Sequence, residues 1–407
     1  MLRLVTDAGG AKLLEVHVAR AAHEVDAGGW RRLARDGDLR LDREWFSMNE
    51  GDFAGCLSYV VAYGRAGAQS ILPWFVTDEP PGRFLSHCAP EVILRPQELT
   101  GAPRSSALEA AAERLGADDL YPSAAILSPY SLLAPTASLL GQSEEHIEEA
   151  LRVVQRRATE DRVRVWAVIG VPAASLVLHI GEALGYHRAL VSAETALDLA
   201  EWHTFDEYLT GLSRTARRST TREMRRARDR GLRFDVEDGS ALADQLAELM
   251  VRHYEGHGRS LRKAEELQYL QQLFATYGEE LTVVTARRSG RLVAFSSLLR
   301  RGSWFKAFDY AADPRLVEKA DVLYPNFLYA WTKLTIENGG GTLYAGPKNW
   351  EAKLRRGCRL APVFALYQAA PDVDRELAHY LDRLNAHQHE YLTGVATRDL
   401  QATVAHV

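Results

Sequence analysis

The sequence predicts an α/β (α+β) protein of two similar halves, each a mixed, largely antiparallel sheet flanked by helices. Three observations predict it. Apolar runs of strand length alternate with amphipathic segments of helical spacing along the chain. Their order comes twice, each time over about 200 residues: helices, an antiparallel meander, a helix, a strand, a helix or loop and a final strand. The composition is that of a soluble globular protein, with 46% hydrophobic and 25% charged residues, which excludes wholesale disorder and fibrous repeats. At roughly 150 residues per domain, the 407 residues suggest about two or three domains.

In the first half, 13–19 reads as a strand and 23–36 as a helix. Residues 56–63 (CLSYVVAY) and 68–76 (AQSILPWFV) are strands joined across Gly64 and Gly67, which suit a tight turn. Pro80, Pro81, Pro90, Pro96 and Pro103 mark an irregular stretch, and 123–130 resumes as a strand. Ser143 caps a helix whose apolar positions, Ile147, Leu151, Val154 and Ala158, share one face. The run 163–170 (VRVWAVIG) is a strand buried on both faces. A helix over 173–184 ends at Gly185, and 188–199 is another strand.

The second half brings helices over 241–255, capped by Ser240, and 264–277, then a meander at 281–286, 291–300 and 303–311. Helix 323–337 tolerates Pro325 in its first turn and ends at the glycines 339–341. Strands follow at 342–346 and 362–370, and an amphipathic helix over 372–392 closes the chain. The expected division is an N-terminal domain 1–203, a C-terminal domain 204–371, and a helix and tail 372–407. The repeat is one of pattern, without residue-level similarity.

Three scattered cysteines, Cys56, Cys88 and Cys358, make neither a disulfide framework nor a zinc site, and suit a reducing cytoplasm. No apolar run approaches the ~18 residues of a membrane span, and the start MLRLVTDAGGAK lacks a signal-peptide core. Charge is informative once divided. The total is −5, yet 213–230 (SRTARRSTTREMRRARDR) holds eight arginines against Glu223 and Asp229, a local +6 that leaves −11 for the rest. Such a protein does not coat nucleic acid generally, but it has one place for a polyanion.

That segment also carries a resemblance. Residues 204–231 (TFDEYLTGLSRTARRSTTREMRRARDRG) resemble the FxxYLxxLxxxxRxxIRRExRxxxxxG segment of Fem-type, peptidoglycan-biosynthesis-like acyltransferases, which belong to the tandem GNAT-fold superfamily. Residues 341–362 (GTLYAGPKNWEAKLRRGCRLAP) resemble their strand–G–x–lysine–x–G signature, with K-L-R-R-G in place of a shorter spacing. Weaker echoes lie at 41–50 and 181–187. The resemblance implies two GNAT-like domains with a cleft reached from both. It also implies amide formation from an aminoacyl-tRNA donor without a permanently bound cofactor.

The chemistry has three needs: a neutral amine, a donor polarising the acyl carbonyl, and an anion site for a phosphate-rich carrier. Acyl-CoA-dependent relatives meet the last with a glycine-rich loop before the helix that follows the third meander strand. Here that segment, 312–323 (ADPRLVEKADVL), has no glycine, and its first-half counterpart 131–143 has only Gly141. A tRNA donor instead needs phosphate neutralisation. At 100° per residue, Arg214, Arg217, Arg218, Arg222, Arg225 and Arg228 fall within an arc of about 140°. They form a face able to track a phosphate backbone, or a solvated face paired with acidic surface; both readings stay open.

For the catalytic centre, the resemblance points to the third meander strand and the strand after helix 323–337. Asp309 is the candidate to orient the amine or accept its proton through water. Lys353, with Lys348 as runner-up, is the candidate for the donor's 3′ end or the oxyanion. Tyr324 is a candidate proton donor to the leaving group, beside Tyr329. Lys306 and Tyr310, and His253 and Tyr254 at the end of helix 241–255, are candidate substrate contacts; Tyr344 is also of interest. Trp45, Phe46, Ser128 and Tyr130 are candidate acceptor contacts. Lysines on a surface, a strand-end carboxylate and core tyrosines are the competing structural readings. His253 and His257 in HYEGH lack a third ligand, so no metal is expected. Cys358 is expected to be a quiet thiol, since the reaction needs no covalent enzyme intermediate.

The leading expectation is an acyltransferase moving an aminoacyl group from tRNA to a small amine-bearing acceptor, a secondary metabolite or cell-wall precursor. The alternatives are an acyl-CoA-dependent GNAT N-acyltransferase and a noncatalytic RNA- or DNA-binding module.

Overall fold

The computed structural model describes residues 3–5, 14–34, 38–53, 55–65, 67–78, 105–116, 120–128, 134–347 and 349–399. The expectations at Cys88, Tyr130, Lys348 and prolines 80–103 lie outside the described residues. The chain divides into two compact units, Met1–Ala193 with Ala361–Gly394, and Glu194–Leu360 with Val395–Val407.

The first unit holds β1 (Arg3–Val5), β2 (Leu14–Ala19), β3 (Leu57–Gly64), β4 (Gly67–Thr77), β5 (Ser123–Ile126), β6 (Val165–Pro172) and the start of β7 (His187–Asp198). Strands β1 to β5 pair antiparallel in sequence order. β5 and β6 are parallel, as the crossover through helix Glu144–Glu160 requires. Ser143 does cap that helix, its Oγ accepting the His146 N–H at 3.3 Å. The apolar 163–170 run becomes β6, shifted to Val165–Pro172. Val165, Ala167 and Ile169 enter one hydrophobic cluster, and Trp166, Val168 and Val171 another. Apolar surface on both faces is why the strand carries no alternation. Leu377, Tyr380, Leu381 and Leu384 of the closing helix, which runs over Asp374–Asp399, pack into the first of these clusters.

The second unit holds the end of β7, then β8 (Leu232–Glu237), β9 (Leu281–Arg288), β10 (Arg291–Arg301), β11 (Trp304–Ala312), β12 (Thr342–Tyr344) and the start of β13 (Arg359–Ala369). Strands β8 to β11 form an antiparallel meander. β11 and β12 are parallel across helix Leu323–Glu337, and β12 runs antiparallel to the end of β7. The second unit thus repeats the sequence of pairings in the first, as the segment order predicts.

Three local expectations are corrected. Helix 241–255 starts at Gly239, and its cap is Asp238, which accepts the Ser240 N–H at 2.9 Å; the carboxylate is the stronger acceptor. Residues 23–36 hold a 3₁₀ turn (Ala22–Glu24) and a shorter helix, Ala27–Ala34, instead of one helix. Helices Arg43–Asn49 and Ser106–Leu115 and strand β8 were not expected, because each is too short for its period to stand out.

Candidate functional site

The second unit gathers most of the predicted residues. The arginine helix, Arg214–Asp229, begins at Ser213, whose Oγ accepts the Ala216 N–H at 3.2 Å. Thr220 and Ala227 are buried, and Glu223 points the same way. Arg356 donates to both Glu223 oxygens at 2.6 Å, its Nε donates to the Tyr329 hydroxyl at 2.6 Å, and that hydroxyl donates to Glu223. This network ties the helix to the segment that carries Lys353. On the opposite face Arg214, Arg218, Arg222, Arg225 and Arg228 are exposed, and among the described residues none reaches a carboxylate. Arg217 is half-buried and donates to the Thr210 carbonyl at 3.3 Å. Among the described residues, no carboxylate pairs with the five exposed guanidinium groups.

Lys353 is 1% exposed. Its ammonium donates to the carbonyls of Ala345 and Gly346, each at 2.6 Å, and lies 5.5 Å from the centre of the Tyr324 ring. Burial brings its pKa down to about 8, against the opposing pull of Glu194. The Tyr324 hydroxyl donates to the same Ala345 carbonyl at 3.1 Å, and burial holds its phenol well above the usual range. Lys353 and Tyr324 together clamp the backbone that leaves β12. Gly346, at φ +81°, takes a turn that a side chain would strain.

A second charged pair lies on the neighbouring strands. Lys306 of β11 meets Glu194 of β7 at 2.9 Å, with both side chains about 95% buried. The Tyr344 and Trp304 rings pack tilted against each other beside it, centroids 5.6 Å apart. Further along β11, Tyr310 packs edge-on to His253 (5.6 Å) and Tyr324 (5.9 Å), and burial pushes its phenol up to about 12. Burial and neighbouring His257 push the His253 imidazole down, and its Nδ1 accepts the Ala312 N–H at 3.4 Å. Asp309 is half-buried; its N–H donates to Ser297 Oγ at 2.9 Å, and its carboxylate adds to burial in raising the Tyr254 and Tyr269 phenols. Tyr310 and Tyr324 form one wall of a cavity of about 440 Å³, at the N-terminal end of helix Leu323–Glu337.

Three further candidates, Trp45, Phe46 and Ser128, lie in the first unit, as core. Trp45 and Phe46 are buried, the Phe46 ring lying tilted against Trp30 with centroids 5.3 Å apart. Ser128 is fully buried and donates to the Arg40 carbonyl at 2.6 Å. Among the described residues no cluster of three or more His, Cys, Asp and Glu assembles for a metal. Cys358 is buried, its thiol pushed up to about 12.

Sequence reasoning missed Glu194, Glu223 and Arg356. The one available signal was Glu194 itself, a carboxylate inside an otherwise apolar strand, which a fold buries only with a counter-charge.

Each of the two units is a mixed, largely antiparallel sheet flanked by helices, and the strand order repeats between them. The chain belongs to the FemAB-like family, described as peptidoglycan biosynthesis/recognition, whose profile matches residues 106–399. Among solved structures it is similar to FemX, at 12% identity over 87% of this chain and 98% of that one, with a TM-score of 0.55. It is also similar to the C-terminal domain of a putative lysylphosphatidylglycerol synthetase from Agrobacterium fabrum, at 11% identity over 89% and 97% of the two chains, TM-score 0.52. No curated protein matches the chain. No helix among the described residues is long and apolar enough to cross a membrane.

Proposed function

We propose that this transferase forms an amide by moving an aminoacyl group from aminoacyl-tRNA to a small amine-bearing acceptor. The family description supports a cell-wall precursor as acceptor, with a secondary metabolite as the other class. The observation that carries the donor reading is the row of five exposed arginines that, among the described residues, have no carboxylate partner. A protein of net charge −5 that leaves five guanidinium groups unneutralised on one helix face has an electrostatic reason to bind a polyanion.

The proposed chemistry is attack of the neutral amine on the ester carbonyl, followed by collapse of the tetrahedral intermediate with release of the ribose hydroxyl. The attacking nitrogen loses a proton and the departing oxygen gains one. Asp309 is proposed to orient the amine or take its proton through water, and His253, Tyr254, Lys306 and Tyr310 to contact substrate. Lys353, with its three hydrogens directed to the carbonyls of Ala345, Gly346 and, at 3.5 Å, Pro347, acts as a positioning residue that fixes the backbone after β12. Direct contact with the donor ester requires it to release one of those carbonyls. The donor is assigned to 204–371 and the acceptor to 1–203. Rate enhancement rests on positioning and carbonyl polarisation.

The test is amide formation with charged tRNA and an amine acceptor, with and without RNase. RNase-sensitive product supports the reading. Turnover that survives RNase and needs acyl-CoA overturns it. Tight, salt-sensitive RNA binding without turnover on any donor would leave only a binding role.

A further inference from the structure

Lys353 sits on a helix of only five residues, Trp350–Leu354. A helix that short is not held by its own hydrogen bonds, so its place is set by what its neighbours grip. One grip is Lys353 on the carbonyls of Ala345 and Gly346. The other is Arg356, two residues past the helix end. The Arg356 N–H donates to the Lys353 carbonyl at 2.9 Å, and its Nη1 donates to the Ala352 carbonyl. Its other donors leave the segment: Nη2 reaches both Glu223 oxygens and Nε the Tyr329 hydroxyl, each at 2.6 Å. The Tyr329 hydroxyl donates to Glu223 in turn, which closes the three groups into a ring. The Arg356 carbonyl accepts the Tyr208 hydroxyl at 2.7 Å, from helix Phe205–Gly211, which leads into the arginine helix. Arg356, Tyr329 and Tyr208 are all buried.

We infer that Arg356 is a positioning residue for the transfer: through Glu223 it fixes the helix that seats the donor's phosphates relative to the Lys353 segment, and so sets where the donor's ester end lies. Glu223 shares the inward face of that helix with Thr220 and Ala227, while the exposed arginines occupy the outward face. A planar guanidinium with its donors in fixed directions sets both distance and angle, which a point charge does not. A misplacement of about 1 Å at the reacting atoms can cost about 100-fold in rate. Phosphate binding by the outward arginines does not pass through Arg356, so its loss is felt in kcat and not in tRNA affinity. The inference rests on the donor reading above, which supplies the polyanion.

The experiment uses the full chain, bulk tRNA charged with radiolabelled amino acids, and Nα-acetyl-lysine as the amine. It reads amide formation beside tRNA affinity, the latter by fluorescence anisotropy at several salt concentrations. Arg356→Lys keeps the charge but loses the fork, so it can pair with Glu223 without also holding Tyr329 and Ala352. Its kcat should fall about 10- to 100-fold while its tRNA dissociation constant and salt slope stay at wild-type values. Tyr329→Phe deletes one hydroxyl from the ring and should lower kcat in the same direction by less. A folded Arg356→Lys with wild-type kcat overturns the inference. So does a loss of turnover matched by a loss of tRNA affinity, because the residue then acts on binding. If neither variant folds, the network is a folding requirement, which overturns it too. Wild-type protein that makes no RNase-sensitive amide sinks the donor reading and this inference with it; wild-type turnover that Arg356→Lys retains in full sinks this inference alone.

Discussion

The arginine face offers the most quantitative test of the donor reading. Arg214, Arg218, Arg222 and Arg225 lie within an arc of about 80° at 100° per residue, and span roughly 16 Å of helix at 1.5 Å per residue. All four are exposed and reach no carboxylate among the described residues, so replacing them with glutamine breaks no ion pair. Glutamine has nearly the helix propensity of arginine, and exposed substitutions of this kind stay within about 0.5 kcal/mol. Each arginine that neutralises a phosphate contributes about 0.7 (single strand) to 0.9 (duplex) to the slope of log affinity against log salt. Four contacts therefore account for a slope of about 3 to 4. Between about 50 and 200 mM salt, wild-type affinity should fall about 50- to 150-fold more than that of the quadruple variant. Filter binding or fluorescence anisotropy with tRNA over that range reads both slopes. Equal slopes, with both proteins folded by circular dichroism, would mean that the helix does not touch the nucleic acid.

Three other outcomes follow from the geometry. Glu223→Gln leaves the Arg356 guanidinium, 9% exposed, without its carboxylate; breaking a fully buried pair costs about 3–5 kcal/mol, and the 19% exposure of Glu223 brings the expectation to roughly 2. A urea midpoint unchanged from wild type refutes that role. Lys353, with its pKa lowered to about 8, binds fewer protons folded than unfolded above that pH. Stability should therefore rise with pH from about 8 toward 10, by on the order of 2 kcal/mol, and Lys353→Met should lose the rise. A flat difference between the two proteins over that window contradicts the burial argument. Val322→Gly should be neutral or stabilising by about 1 kcal/mol, because glycine takes φ +49° without strain; a drop in melting temperature would show that the isopropyl contacts outweigh it.

The order of elements was legible because strand and helix periods are local, and Ser143 read correctly as a cap for the same reason, whereas the cap expected at Ser240 falls to Asp238. The arginine face was legible too, since a wheel needs only spacing. Lys353 was found through a motif, yet its bonds to Ala345 and Gly346 were not, because they depend on how the chain turns after β12. Trp45, Phe46 and Ser128 show the reverse: candidate contacts by their position in the chain, they are packed as core. The partners of the buried charges lay furthest from view, with Glu194 and Lys306 on different strands, Glu223 133 residues from Arg356, and Asp321 91 from Arg230.

Sequence alone determined the repeated strand–helix order and the gathering of positive charge on one amphipathic surface, both set by neighbours a few residues away. Only the tertiary structure decided which charges are spent internally and which face outward. Arg230, Arg288, Lys306 and Arg356 are committed to carboxylates, whereas Arg214, Arg218, Arg222, Arg225 and Arg228 reach none among the described residues. Ion pairing acts through space over a few ångströms, so residues far apart in the chain become partners only when the sheet brings them together.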